Sequence, residues 1–201
     1  MIETGQLKHK PWHNIIPYIV LATVFLIITV VIGTKIPVDT SSSIFNELKQ
    51  SLDSVVSVSP LILLILVFLN NAIKALFVII FGVFLGVPSI LFIAFNGLII
   101  GMVITAFKAP ANYGLIAAAL APHGVIEIPA LILATALGMS IGIESLRFFI
   151  RQPSMTRIQL RFCLKIYWQW ILPGLLVAAL IEIFITPLVV SAVSGQPMIV
   201  P

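Results

Sequence analysis

The sequence predicts an all-α fold, a polytopic membrane bundle of five transmembrane helices, and three observations carry that prediction: composition, five separate apolar runs, and the clustering of basic residues outside them. Hydrophobic residues make up 60% of the 201-residue chain and charged residues 9%, against roughly 45–50% and roughly 25% in soluble domains. Mean hydropathy is +1.19. A bilayer span needs about 20 apolar residues, so five fit within a single integral membrane domain, residues 1–201. The net charge of +4 matters through its placement, which sets orientation, and no nucleic-acid partner is expected. A single cysteine, Cys163, excludes an intrachain disulfide and reads as a small filler near the cytoplasmic surface.

Span one, residues 14–34, follows Lys8 and Lys10. It exceeds the roughly 7–15 residues of a secretory signal core and lacks a small-x-small cleavage site, so it reads as a transmembrane helix. Span two starts at Ser59-Pro60, a capping hydroxyl with proline at the first helical position, and runs to about Val87, with the turn at Pro88 and Ser89. Spans three, four and five follow at about 89–107, 114–143 and 166–191. Pro122 and Pro129 predict a kinked fourth helix, because each proline frees a carbonyl four residues earlier, those of Ala118 and Val125. In a bilayer such carbonyls must find partners, and Lys74, Asn70 or Asn71 could serve.

Between the spans, Ile44, Phe45, Leu48, Leu52, Val55 and Val56 recur at helical spacing among Glu47, Lys49 and Asp53. This describes either a short interfacial amphipathic helix or an outward extension of span two. The stretch Glu144 to Lys165 carries Arg147, Arg151, Arg157, Arg161 and Lys165, mostly four apart and divided by Pro153. Such a cluster beside a membrane attracts anionic lipid, by about 1 kcal/mol per basic residue, unless it is simply a solvated loop. With the N-terminus inside, these five residues join Lys8 and Lys10 on the cytoplasmic side, leaving Lys35, Lys49 and Lys108 outside. The positive-inside rule therefore predicts N-terminus in and C-terminus out. Trp12, Tyr18, Tyr167, Trp168 and Trp170 agree, falling near the inner interface.

The polar residues inside the spans are the candidates for function. Asn70, Asn71 and Lys74 lie on span two, Asn96 on span three, His123 and Glu127 on span four and Glu182 on span five, all within about two turns of mid-membrane. Spacings of three and four put Asn70, Asn71 and Lys74 on one helix face and His123 and Glu127 on another. A lysine or acid at a helix centre opposes insertion by roughly 2.5–3.5 kcal/mol, so both faces are expected to point inward, with Lys74 paired to Glu127. Two acids outnumber one lysine, so balance requires a proton on one carboxylate or on His123. One histidine with one carboxylate is too few ligands for a metal site and HExxH spacing is absent. No metal and no cofactor is expected. Gly82 and Gly86, Gly97 and Gly101, and Gly138 and Gly142 form three G-x-x-x-G pairs, which allow close backbone approach in a central bundle or on a homodimer face.

The segments NNAIKALFVIIFGVFLG, FNGLIIG and PHGVIEIPALILATALG resemble the signature segments of the stage II sporulation protein M family of prokaryotic membrane proteins. The matching positions are Asn71, Gly82, Asn96, Gly97, Gly101, Pro122, His123, Gly124, Glu127 and Pro129. The resemblance implies a five-span protein without its own catalytic chemistry; the best-known member anchors cell-wall-degrading partners during engulfment in spore formers. Two readings follow. One is a membrane scaffold or assembly protein, a homo-oligomer or the partner of another membrane or extracytoplasmic protein, whose polar core specifies packing. The other is a channel or transporter for protons, cations or a small solute using Lys74, His123 and Glu127.

Overall fold

The computed structural model describes residues 15–37, 59–106, 113–152 and 154–195, and among these there is no strand. Helix α1 covers Ile16–Gly33, α2 Pro60–Phe81, α3 Val87–Ala106 and α4 Tyr113–Phe149. The fifth rod, Thr156–Ser194, is built of α5 (Thr156–Ile166), a π-helical turn (Tyr167–Ile171), α6 (Leu172–Leu180), a second π turn (Ile181–Ile185) and α7 (Thr186–Ser194). All five are long and apolar enough to cross a bilayer. The amphipathic segment 44–56, Trp12 and Pro153 lie outside the described residues.

The spans pack through their smallest residues. A Cβ on Gly82 would meet the Gly138 backbone, 2.6 Å from its Cα, and one on Gly142 would meet Gly86, 2.6 Å from its Cα. The two G-x-x-x-G pairs therefore seat against each other four residues apart on each chain, which makes α2 and α4 parallel neighbours in backbone contact. The third pair does the same with α1: a Cβ on Gly97 would meet Thr29 and one on Gly101 would lie 2.7 Å from Gly33 Cα. On α1 the buried residues Ala22, Leu26, Thr29 and Gly33 form the matching stripe. Helix α4 is the hub, contacting α1, α2, α3 and every element of the fifth rod.

Several boundaries differ from the sequence expectation. Helix α2 stops at Phe81 rather than continuing to Val87, and the turn occupies residues 82–86 instead of Pro88-Ser89. Two consecutive residues, Leu85 (φ 58°) and Gly86 (φ 73°), take the left-handed conformation there. Pro88 is the second residue of α3, where its missing amide costs nothing. Ser89 is fully buried and its Oγ donates to Val78 O at 3.0 Å, tying α3 to α2. Ser59 precedes α2 as expected, but its hydroxyl caps no amide.

Helix α4 runs unbroken through Pro122 and Pro129, and among the described residues no side chain donates to Ala118 O or Val125 O. It continues past residue 143 to Phe149, about 55 Å at 1.5 Å per residue, so its last turns outrun a hydrocarbon core of roughly 30 Å. The fifth rod likewise begins at Thr156, not 166, and α4 and α5 form a projecting hairpin. Glu144 closes it: one carboxylate oxygen accepts from Met155 N at 3.0 Å, the other from Arg147 at 2.8 Å. Deeper in the hairpin Gln159 donates to Ser140 Oγ at 3.0 Å, beside a fully buried Cys163. Each π turn of the fifth rod ends one residue before the helix that carries the next proline, Pro173 or Pro187; the wider turn accommodates a residue that cannot donate to the carbonyl four back.

Candidate functional site: a polar cluster at mid-bundle

The glycine register sets the depth. Because Gly82 and Gly138 touch on parallel helices, eleven residues back along each chain Asn71 and Glu127 share a height close to the middle of α2. One turn earlier on α4 stands His123, on the same face as Glu127. The second π turn of the fifth rod brings Glu182 to meet them. One ligand atom from each of His123, Glu127 and Glu182 lies within 4.8 Å of the others, and all three residues are half-buried. His123 Nδ1 is 3.4 Å from Thr186 Oγ1, and that hydroxyl also reaches Ile181 O at 3.3 Å. The carboxylates of Glu127 and Glu182 have neither an ion pair nor a hydrogen bond among the described residues.

This arrangement corrects the expected ligand count. Three metal-capable donors converge, not two, since Glu182 supplies the second carboxylate. An imidazole with two carboxylates suits a proton or a divalent cation, and the neighbouring Thr186 orients the imidazole in the way outer ligands do. The sequence reading placed Glu182 at this depth but could not assign it to His123, because the contact depends on the phase shift of a π turn. Thr186 was missed altogether, and its spacing of four from Glu182 was the available signal.

Lys74 is not where the pairing argument put it. The ion pair Arg147–Glu144 is the one within 4 Å among the described residues, so Lys74 and Glu127 do not form a salt bridge. Lys74 is close enough for its charge to bear on Glu127, yet its side chain is exposed, as is that of Asn70. The reason is local: Ala72, Ala75, Val78 and Ile79 fill the buried face of α2, and the Asn70–Lys74 edge is turned to its flank. Asn70 Nδ2 reaches Asn71 Oδ1 at 3.3 Å. Asn96 takes no part in the cluster, because its amide donates to Phe92 O of its own helix at 2.8 Å.

Other candidates separate from the cluster. Gly124, between His123 and Glu127, could carry a Cβ without strain, which would meet Ile128 Cδ1 at an ordinary contact distance of 3.7 Å. Tyr167, expected at the interface, is buried in the core and donates to Ala72 O at 3.0 Å, whereas Trp168 and Trp170 are exposed. Ser140 is 17 residues from His123 along α4, about 25 Å, and is engaged with Leu137 O and Gln159, so the two do not form a nucleophile and base. Arg147, Arg151, Arg157, Arg161 and Lys165 are all exposed on the hairpin.

No curated protein and no solved structure matches the chain at a significant level. The profile of the stage II sporulation protein M family matches residues 16–187, which takes in His123, Glu127, Glu182 and Thr186, the three glycine pairs and nearly the whole of the five spans. This multi-pass membrane chain therefore belongs to the stage II sporulation protein M family.

Proposed function

We propose that the protein is a membrane scaffold or assembly partner with no catalytic chemistry of its own, set in the cell membrane with its N-terminus inside and its C-terminus outside. The observation that carries this reading is the exposure of Lys74. It sits about 5 Å from the centre of α2, and so about 10 Å from the nearer edge of a hydrocarbon core of roughly 30 Å. An ammonium left facing lipid there opposes insertion by roughly 2.5–3.5 kcal/mol. A second copy of the chain, or a membrane protein with an acidic or carbonyl-rich face at that depth, would cover the Asn70–Lys74 edge and remove this cost. The helices of the lone chain are already locked by glycine contacts and by Ser89 and Tyr167, which leaves Lys74 for an outside partner. On this reading Lys74→Met keeps the melting temperature within a few degrees while abolishing the complexes that crosslinking and native mass spectrometry recover with the unaltered chain. Full recovery of those complexes by the variant would refute the scaffold role for this edge.

A second reading rests on a separate observation, the convergence of His123 with Glu127 and Glu182, whose carboxylates have no hydrogen bond or ion pair among the described residues. Polar groups used only as glue are satisfied by one another; these two carboxylates are not. A site for a proton or cation at mid-membrane fits that state. It predicts pH-dependent cation flux into proteoliposomes that Glu127→Gln reduces at least tenfold with the fold intact. Absence of flux from the unaltered protein across protons, alkali and divalent cations would eliminate it.

A further inference from the structure

Where the α4–α5 hairpin leaves the bundle, a cavity of about 880 Å³ opens between it and the α2–α3 turn. Its walls are mostly apolar, with Val83 and Phe84 from the turn and Phe148 and Phe149 from the hairpin. That volume is in the range of small-molecule pockets, about 300–1,000 Å³. One of the few polar groups around it is buried and unsatisfied. Ser145 lines the cavity, is only 4% exposed, and its Oγ has no hydrogen-bond partner, a state that native structures rarely tolerate without a ligand or water. Helix α5, eleven residues long, begins on the same wall with no side chain capping its first turn. Glu144 holds the Met155 amide at its N-cap, and the amides of the first turn beyond it stay open and favour an anion. Arg157 is the second residue of that helix, also lines the cavity, and has no ion-pair partner among the described residues.

We propose that this cavity is a specific site for one anionic phospholipid, with a hydrocarbon chain among Phe84, Phe148 and Phe149 and the headgroup phosphate at the start of α5 beside Arg157. Ser145 donates its hydroxyl to an oxygen of the glycerol region. A soluble anion would account for the amides and the arginine but not for the apolar walls. A neutral lipid would account for the walls but not for Arg157. The position agrees as well: exposed Phe148, Phe149 and Ile158 alternate with exposed arginines here, the mixture that marks the level of the headgroups. The other exposed cations of the hairpin, Arg147, Arg151, Arg161 and Lys165, are not part of the lining and supply only the diffuse attraction common to basic surfaces.

The proposal does not depend on the scaffold or cation readings, which concern Lys74, more than two turns back along α2 from the cavity, and the middle of α4. It is tested on the full chain in detergent by native mass spectrometry, with equimolar phosphatidylglycerol and phosphatidylcholine as probes and inorganic phosphate as competitor. The unaltered protein is expected to retain one phosphatidylglycerol in preference to phosphatidylcholine, and excess phosphate is expected not to displace it. Arg157→Ala should reduce retention about tenfold and Ser145→Ala severalfold, while Arg161→Ala, with the same loss of charge, should change it less than twofold. Melting curves for each variant confirm that the fold is unaltered. Equal weakening by Arg157→Ala and Arg161→Ala, equal retention of the two lipids, or displacement by phosphate would each overturn the site.

Discussion

Gly82→Ala is expected to lower the stability of the bundle by about 2–3 kcal/mol, whereas Gly124→Ala leaves it unchanged or raises it slightly. The two substitutions add the same methyl group to glycines that both fall in family-like motifs. At Gly82 the new carbon would sit 2.6 Å from Gly138 Cα and 2.7 Å from its carbonyl carbon. Those are backbone atoms of a helix pinned on several sides, so relief requires α2 and α4 to move apart along their whole contact. Without water to expel between them, membrane helices associate chiefly through such close packing, and separation forfeits it. At Gly124 the nearest atom is 3.7 Å away, ordinary contact, and replacing glycine inside a helix gains roughly 0.5–1 kcal/mol. Denaturant titration or melting in detergent reads both. A Gly82→Ala variant as stable as the parent would mean that the parallel glycine seam does not hold the bundle together.

That seam also shows how far the sequence could be read. G-x-x-x-G marks a helix that can be approached closely, and six of the seam's glycines were legible for that reason. Nothing in the motif says which helix approaches. Gly82 and Gly86 meet Gly138 and Gly142, but Gly97 and Gly101 meet Thr29 and Gly33 of α1, and a lone Gly33 after an apolar run looks like any helix end. The turn was misplaced for a related reason. Pro88 was taken as the break, yet proline is tolerated in a first helical turn, and the actual reversal uses a leucine with positive φ, a conformation no sequence pattern announces.

The functional candidates were legible by type and depth, not by direction. Ionisable residues in apolar runs identify themselves, so Lys74, His123, Glu127 and Glu182 were all recognised. Which way each face looks is decided by small neighbours: on α2 the buried positions are Ala72 and Ala75, and they turn Lys74 to the flank. Charge-pairing logic assumed a closed chain and so matched Lys74 with Glu127. An assembly that closes Lys74 from outside satisfies the same energetic requirement with a different partner.

The carboxylates give the sharper discriminant. Glu127→Gln and Glu182→Gln, made singly, are each expected to raise stability by about 1–3 kcal/mol, and the double variant to gain little more than either. Holding two carboxyl groups within 4.8 Å of one another costs either the repulsion of two charges, about 3 kcal/mol at an effective dielectric constant of 20, or the uptake of a proton that avoids it, and no hydrogen bond or ion pair holds either in place. Glutamine is isosteric and keeps an acceptor for His123 or Thr186, so the first substitution relieves repulsion at little cost in packing. The second finds no repulsion left to relieve, which makes the pair non-additive by an amount that a double-mutant cycle reads directly. If these residues were structural glue, each single change would instead destabilise and the losses would add. The same cycle bears on cation binding. A divalent ion between the two carboxylates screens their repulsion, so manganese or zinc at about 100 times its dissociation constant should stabilise the unaltered protein by about 2.7 kcal/mol through mass action. Glu127→Gln and Glu182→Gln should each abolish that gain, and a metal-induced shift that persists in both would place the ion elsewhere.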